Sequence, residues 1–129
     1  MIETMGRTLI MIASVSGLFA VLLGAFGAHG LKARLAPEMM AVYQTGVQYH
    51  FYHTLALLIC GFLIHSGIDN TAMRLSACAF IAGIIIFSGS LYLLAITDAR
   101  WLGAVTPIGG LAFIVGWASL FAGIMRSPA

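Results

Sequence analysis

Charge is what this sequence has least of. Lysine, arginine, aspartate and glutamate make up 8% of its 129 residues, while 61% are hydrophobic. Soluble domains carry about 25% charged residues and about 45–50% apolar ones. Six basic and four acidic side chains are too few to cover the surface of a soluble fold this small. The apolar exterior must therefore meet lipid. The positive charges, net +2, form no patch or run, which argues against nucleic acid and against an anionic lipid surface as the main partner.

Other absences narrow the chemistry. No acidic residue lies inside a long apolar stretch, and proton-coupled exporters rely on such a buried carboxylate. Glu38, the nearest, sits at a helix start. Phosphate-binding loops, nucleophile elbows and zinc-protease signatures are all missing. Ser88 and Ser90 have no carboxylate-backed base nearby, and the methionines show no paired spacing that would suggest copper. The two cysteines, Cys60 and Cys78, could in principle pair across the 66–74 turn, but small buried packing residues are their commoner role.

What is present is long apolar runs. Between the charged positions lie four charge-free windows, 8–31, 39–68, 75–97 and 101–125. A helix rises about 1.5 Å per residue and the hydrocarbon core is roughly 30 Å thick, so about 20 residues suffice to cross it. The expected fold is an all-α membrane protein, a four-transmembrane-helix up-down bundle forming one integral membrane domain. Its helices are placed at about 8–28, 37–65, 72–97 and 101/107–125. Arg7, the apolar run after it and Ala25-Phe26-Gly27 look superficially like a secretory signal, but the run is too long for a signal core and is read as a retained first helix.

Two stripes of small residues run along predicted helices. Ala13, Gly17, Ala20, Gly24 and Ala28 share a face of the first; Gly109, Gly116 and Gly123 recur every seventh residue of the fourth. Such stripes let helix backbones approach in lipid, where hydrophobicity gives no drive to associate. They suggest contact between the first and fourth helices. At Thr106-Pro107 the proline lacks an N–H and disfavours helical geometry before it. A helix start or kink is expected there, with Thr106 as cap, 101–105 non-helical or interfacial, and the Ser88–Tyr92 stretch alongside. A small polar cavity between the second, third and fourth helices is the functional alternative to a plain helix start. An even number of spans puts both termini on one side. The basic residues divide three and three, and only Arg7 before the first span points to the cytoplasm for the termini.

Four motifs are distinctive: Gly24-Ala25-Phe26-Gly27-Ala28-His29-Gly30-Leu31, Thr45-Gly46-Val47-Gln48-Tyr49-His50 with His53, Phe87-Ser88-Gly89-Ser90-Leu91-Tyr92, and Thr106-Pro107-Ile108-Gly109-Gly110 followed by Gly116-Trp117. Together they resemble the YgdD-like bacterial inner-membrane family, a domain of unknown function (number 423), to which a small mitochondrial membrane protein family looks related. The resemblance implies a four-helix fold in the bacterial inner membrane and no particular activity.

Polar residues inside the membrane are costly and mark where function would lie. His50 and His53, three apart, share a helix face, and His29 ends the first helix near the start of the second. Their roles, in order of expectation, are interhelical hydrogen bonding, ligand contact aided by neighbouring hydroxyls, and metal or haem ligation. His-x-x-His without carboxylates or cysteines is a weak metal signal, and His29 with His50 is the one pair that could hold haem. No cofactor is expected. The candidate ligand-binding residues are His29, Tyr49, His50, His53, Ser88, Tyr92 and Thr106. No catalytic set is apparent. The expected function is a non-enzymatic small subunit or self-associating bundle whose partners are membrane lipid and a second copy or larger complex. The alternative is a protein that binds a solute, lipid or quinone through the histidine and tyrosine cluster.

Overall fold

The computed structural model describes residues 2–129, with side chains from Thr4 onward. Helix 1 covers Ile2–Phe26 and runs on through a wider π turn, Gly27–Leu31. Helix 2 covers Pro37–His65 and helix 3 Thr71–Thr97. Helix 4 covers Thr106–Met125, preceded by a 3-10 turn at Arg100–Ala104. All four are long and apolar enough to cross a membrane. Helix 1 begins well before residue 8 because the early charges limit the apolar span, not the helix.

Each connection has a local cause. Ala36 takes the extended conformation, φ −58° and ψ 149°, that a following proline imposes, and Pro37 then sits in the first helical turn. Helix 2 ends at His65 and is stopped by Gly67 two residues on, whose φ of +100° suits glycine. The Ile68 N–H donates to the Leu63 carbonyl and the Gly67 N–H to that of Ile64, the paired bonds of a Schellman stop. Asn70 then caps helix 3 by accepting from the Met73 N–H, while its Nδ2 donates to the Gly123 carbonyl near the end of helix 4. Asp98 closes helix 3 in the left-handed region, φ 55°.

Helices 2 and 3 are central, with helix 1 packed on 2 and helix 4 on 3. The small stripes explain these pairings and correct the expected one. Among the described residues, helices 1 and 4 form no extended packed interface with each other. Gly17 and Gly24 face Thr54 and Val47 of helix 2, and a Cβ on Gly6 would strike the backbone of His65. On helix 4, Gly109, Gly116 and Gly123 lie against Phe87, Phe80 and Met73 of helix 3, and Gly83 of helix 3 receives Phe113 in return. Glycine periodicity gives a helix a close-packing face without naming its partner, and here each stripe serves the chain neighbour.

The break before Pro107 is present, but its details differ from expectation. Residues 100–104 wind into a tight 3-10 turn, and Thr106 is already helical without capping the helix. Its hydroxyl donates back to the Leu102 carbonyl and lies 2.6 Å from Ser90 Oγ. The Tyr92 hydroxyl does not serve this segment, because it is held by His50, 2.9 Å away.

Candidate ligand-binding site

Two histidines three residues apart on helix 2 turn to different neighbours. His53 Nδ1 lies 2.7 Å from the carbonyl oxygen of Tyr49, and the Trp117 indole N–H donates to His53 Nε2 at 3.1 Å. A carbonyl only accepts and an indole N–H only donates. The proton of the ring is therefore on Nδ1, and the tautomer is fixed. The imidazole also stacks on Phe113, with centroids 3.5 Å apart, lies tilted against Phe80 and stands edge-on to Trp117.

His50 is held differently. Its Nδ1 lies 2.9 Å from Tyr92 Oη and its Nε2 3.0 Å from Ser16 Oγ, which is itself 2.6 Å from Thr54 Oγ1. Every partner is a hydroxyl, able to give or take a hydrogen. Thr54, Ser16, His50 and Tyr92 thus form one chain of three hydrogen bonds linking helices 1, 2 and 3, with no fixed direction. His50 is half-way along helix 2, about 20 Å from either end, and Ser16 is near the middle of the Thr4–Leu31 span. The chain lies near the middle of both helices along their length.

Beside this chain helices 1 and 3 part, leaving a crevice of about 380 Å³. Its walls are apolar: Ile12, Val15, Phe19 and Leu23 from helix 1, and Ile81, Ile84 and Ile85 from helix 3. Leu57 of helix 2 with Ser16, His50 and Tyr92 completes the lining, the polar atoms of the last three being turned into the hydrogen-bonded chain and almost wholly covered. Ile85, Phe19 and Val15 are exposed at its mouth, so it opens toward lipid. Helix 3 widens into a π turn here, Ile84–Ser88, a distortion that recurs at functional sites. Gly89, on the next turn, lines the crevice, and a Cβ there would meet nothing within 4 Å.

Of the seven residues expected at a site, His50 and Tyr92 meet at this crevice. Tyr49 and His53 join the aromatic cluster with Phe87 and Phe113. Ser88 donates to the Gly46 carbonyl, a buried tie between helices 3 and 2, and Thr106 ties helix 4 to Ser90. His29 is exposed and donates through Nδ1 to the Ala25 carbonyl of its own helix, so it does not join the other histidines. The cavity expected between helices 2, 3 and 4 is filled by rings, and the crevice beside His50 lies between helices 1, 2 and 3. Ser16 and Thr54 were missed. A lone serine in an apolar helix was the available signal, but neighbouring Ser14, exposed and bonded to the Ile10 carbonyl, carries the same one. Cys60 is buried and Cys78 exposed, both as free thiols.

The fold and composition define a four-span α-helical membrane protein. Residues 23–110 match the family model described as a protein of unknown function (DUF423), and the chain belongs to that family. It is 43% identical over 111 residues to the UPF0382 membrane protein YwdK of Bacillus subtilis, covering 86% of this chain and 90% of that one. It is 40% identical over 116 residues to a UPF0382 membrane protein of Haemophilus influenzae, covering 90% and 92%. With the UPF0382 inner membrane protein YgdD of Escherichia coli it shares 38% identity over 120 residues, covering 93% and 91%. No solved structure matches.

Proposed function

We propose that this protein binds, without turning over, an apolar molecule dissolved in the membrane, and holds it in the crevice between helices 1 and 3. One observation carries the reading: an open, apolar-walled space of about 380 Å³ lies directly against a hydrogen-bonded chain that can reorganise. Ligand sites are typically concave and mostly apolar, with a few placed polar groups. The glycine stripes, which otherwise favour self-association or membership of a larger complex, are occupied by contacts within the chain. The name of the Escherichia coli relative supports a bacterial inner-membrane location, with both termini cytoplasmic from the position of Arg7.

The test is native mass spectrometry of protein extracted with its surrounding membrane, comparing the unaltered chain with Gly89→Leu. The leucine projects into the crevice and narrows it, where a Cβ would meet nothing within 4 Å, and it replaces a glycine within a helix, so folding is expected to be preserved. The unaltered protein is expected to carry one tightly held apolar molecule that Gly89→Leu lacks. An unaltered protein without such a molecule, or a variant that keeps it, would refute the reading.

A further inference from the structure

We infer that the crevice takes a neutral quinone and its quinol, a ring bearing oxygens on an apolar tail, and that His50 adapts to each by exchanging tautomers. The inference rests on the binding reading above and names the ligand class for the same site.

Depth selects against other lipids. Ser16 and His50 lie about 20 Å from the helix ends, near the middle of a hydrocarbon core roughly 30 Å thick. A phospholipid headgroup stays at the interface and does not reach them. A carboxylate or ammonium would bring a charge to the costliest depth, with no opposite charge in the lining. A small neutral head that travels with its tail in the hydrocarbon meets neither objection.

Counting hydrogens gives the rest. Thr54, Ser16, neutral His50 and Tyr92 own one polar hydrogen each, four in all, and three bonds join them. One hydrogen is left over. If the chain points from Thr54 through Ser16 and His50 to Tyr92, His50 carries its proton on Nδ1, and the spare hydrogen is on the Tyr92 hydroxyl. Tyr92 lines the crevice, so a quinone carbonyl there can accept that hydrogen. If the chain points the other way, Tyr92 donates to Nδ1 and His50 carries its proton on Nε2. Ser16 then donates to Thr54, and the Tyr92 oxygen is free to accept from a quinol hydroxyl. Both forms find a complementary partner once the ligand head displaces the apolar side chains that cover the Tyr92 hydroxyl from the crevice. His53 cannot behave this way, because Trp117 and the Tyr49 carbonyl fix its ring.

The experiment uses the full chain in lipid nanodiscs with ring-¹⁵N histidine. Decyl-benzoquinone, its quinol and a decyl-chain phospholipid serve as separate probes, and binding is measured beside the His50 nitrogen shifts. Quinone and quinol are expected to bind, the quinone driving His50 to the Nδ1–H form and the quinol to the Nε2–H form. Tyr92→Phe is expected to weaken both by about tenfold, the effect of one lost hydrogen bond. Should both redox forms leave His50 in the same tautomer, or should the phospholipid bind as well as they do, the quinone assignment fails and the binding site stands. Should no probe bind and Gly89→Leu change nothing, the binding reading fails with it. The tautomer shift is read on the unaltered chain, so it decides the matter even if Tyr92→Phe does not fold.

Discussion

Helix 3 has two sides that solve the packing problem in opposite ways. Toward helix 4 the surface is closed. Glycines on each helix receive rings from the other, Ser76 donates to the Gly116 carbonyl at 2.7 Å, and His53 is stacked with its tautomer fixed. Toward helix 1 the surface is open. The two helices stand apart, apolar side chains line the gap, and His50 sits in a chain of hydroxyls with no fixed direction. In lipid no hydrophobic force closes such a gap, because tails solvate Ile and Phe as well as another helix does. Close packing between membrane helices has to come from shape, and the glycine-to-ring fit supplies it on one side only. The crevice beside His50 is therefore a feature of this side at mid-helix depth, and the histidines report the difference: one is part of the structure, the other is available.

Substitutions on the closed side are expected to cost the most. His53→Ala removes a stacked ring and leaves the Trp117 N–H without a partner, and should lower stability by about 3 kcal/mol in detergent unfolding. A cost no larger than that of His50→Ala would erase the distinction between the two histidines. Gly109→Ala comes next. Its Cβ would lie 2.3 Å from the backbone nitrogen of Phe87, whereas one on Gly17 would make ordinary contact at 3.6 Å with Thr54 Cγ2. Gly109→Ala should destabilise by about 2 kcal/mol and Gly17→Ala hardly at all, in paired thermal melts of the two variants. Equal melting temperatures would show that helix 4 is not seated by its glycines.

On the open side Ser16→Ala should lower stability by about 1 kcal/mol while altering the His50 ring signals, which a purely structural serine would leave in place. Smallest of all is the ion pair at the helix 2–3 turn, between a covered Asp69 and a half-exposed Arg74. Arg74 donates to both Asp69 oxygens, at 2.8 and 2.6 Å, and these bonds hold the Asp69 carboxyl below its usual range. A lowered folded-state value means the contribution is present at neutral pH and lost as pH falls through that lowered value, below about 4. Because Arg74 is half exposed, the effect should stay under about 1 kcal/mol. It should vanish in Asp69→Asn when acid unfolding curves are compared.

The sequence made much of the fold legible and little of the site. Charge-free windows and Pro37, Pro107 and the Ser66–Asn70 turn mark the spans because membrane thickness and proline chemistry act on local stretches of chain. Helix partners were not legible. A glycine stripe has no address, and the assignment of helix 1 to helix 4 failed for that reason. His50 and His53 were both visible as intramembrane histidines, yet their spacing put them on one face and hid their different fates. What separates them is a serine on helix 1, a tyrosine on helix 3 and a tryptophan on helix 4, distant in sequence and joined only by packing. The crevice itself left no trace in the sequence, since it is a place where two helices fail to touch.

The contrast between the histidines can be measured directly, before any ligand is added, in the ¹⁵N spectrum of ring-labelled protein in lipid. His53 is expected to show a single neutral form protonated on Nδ1, unchanged by Gly89→Leu. His50 is expected to show both neutral tautomers in exchange, consistent with a hydroxyl on each ring nitrogen. Two histidines locked alike, or a mixed His53 beside a fixed His50, would contradict the division of the molecule into a closed side and an open one.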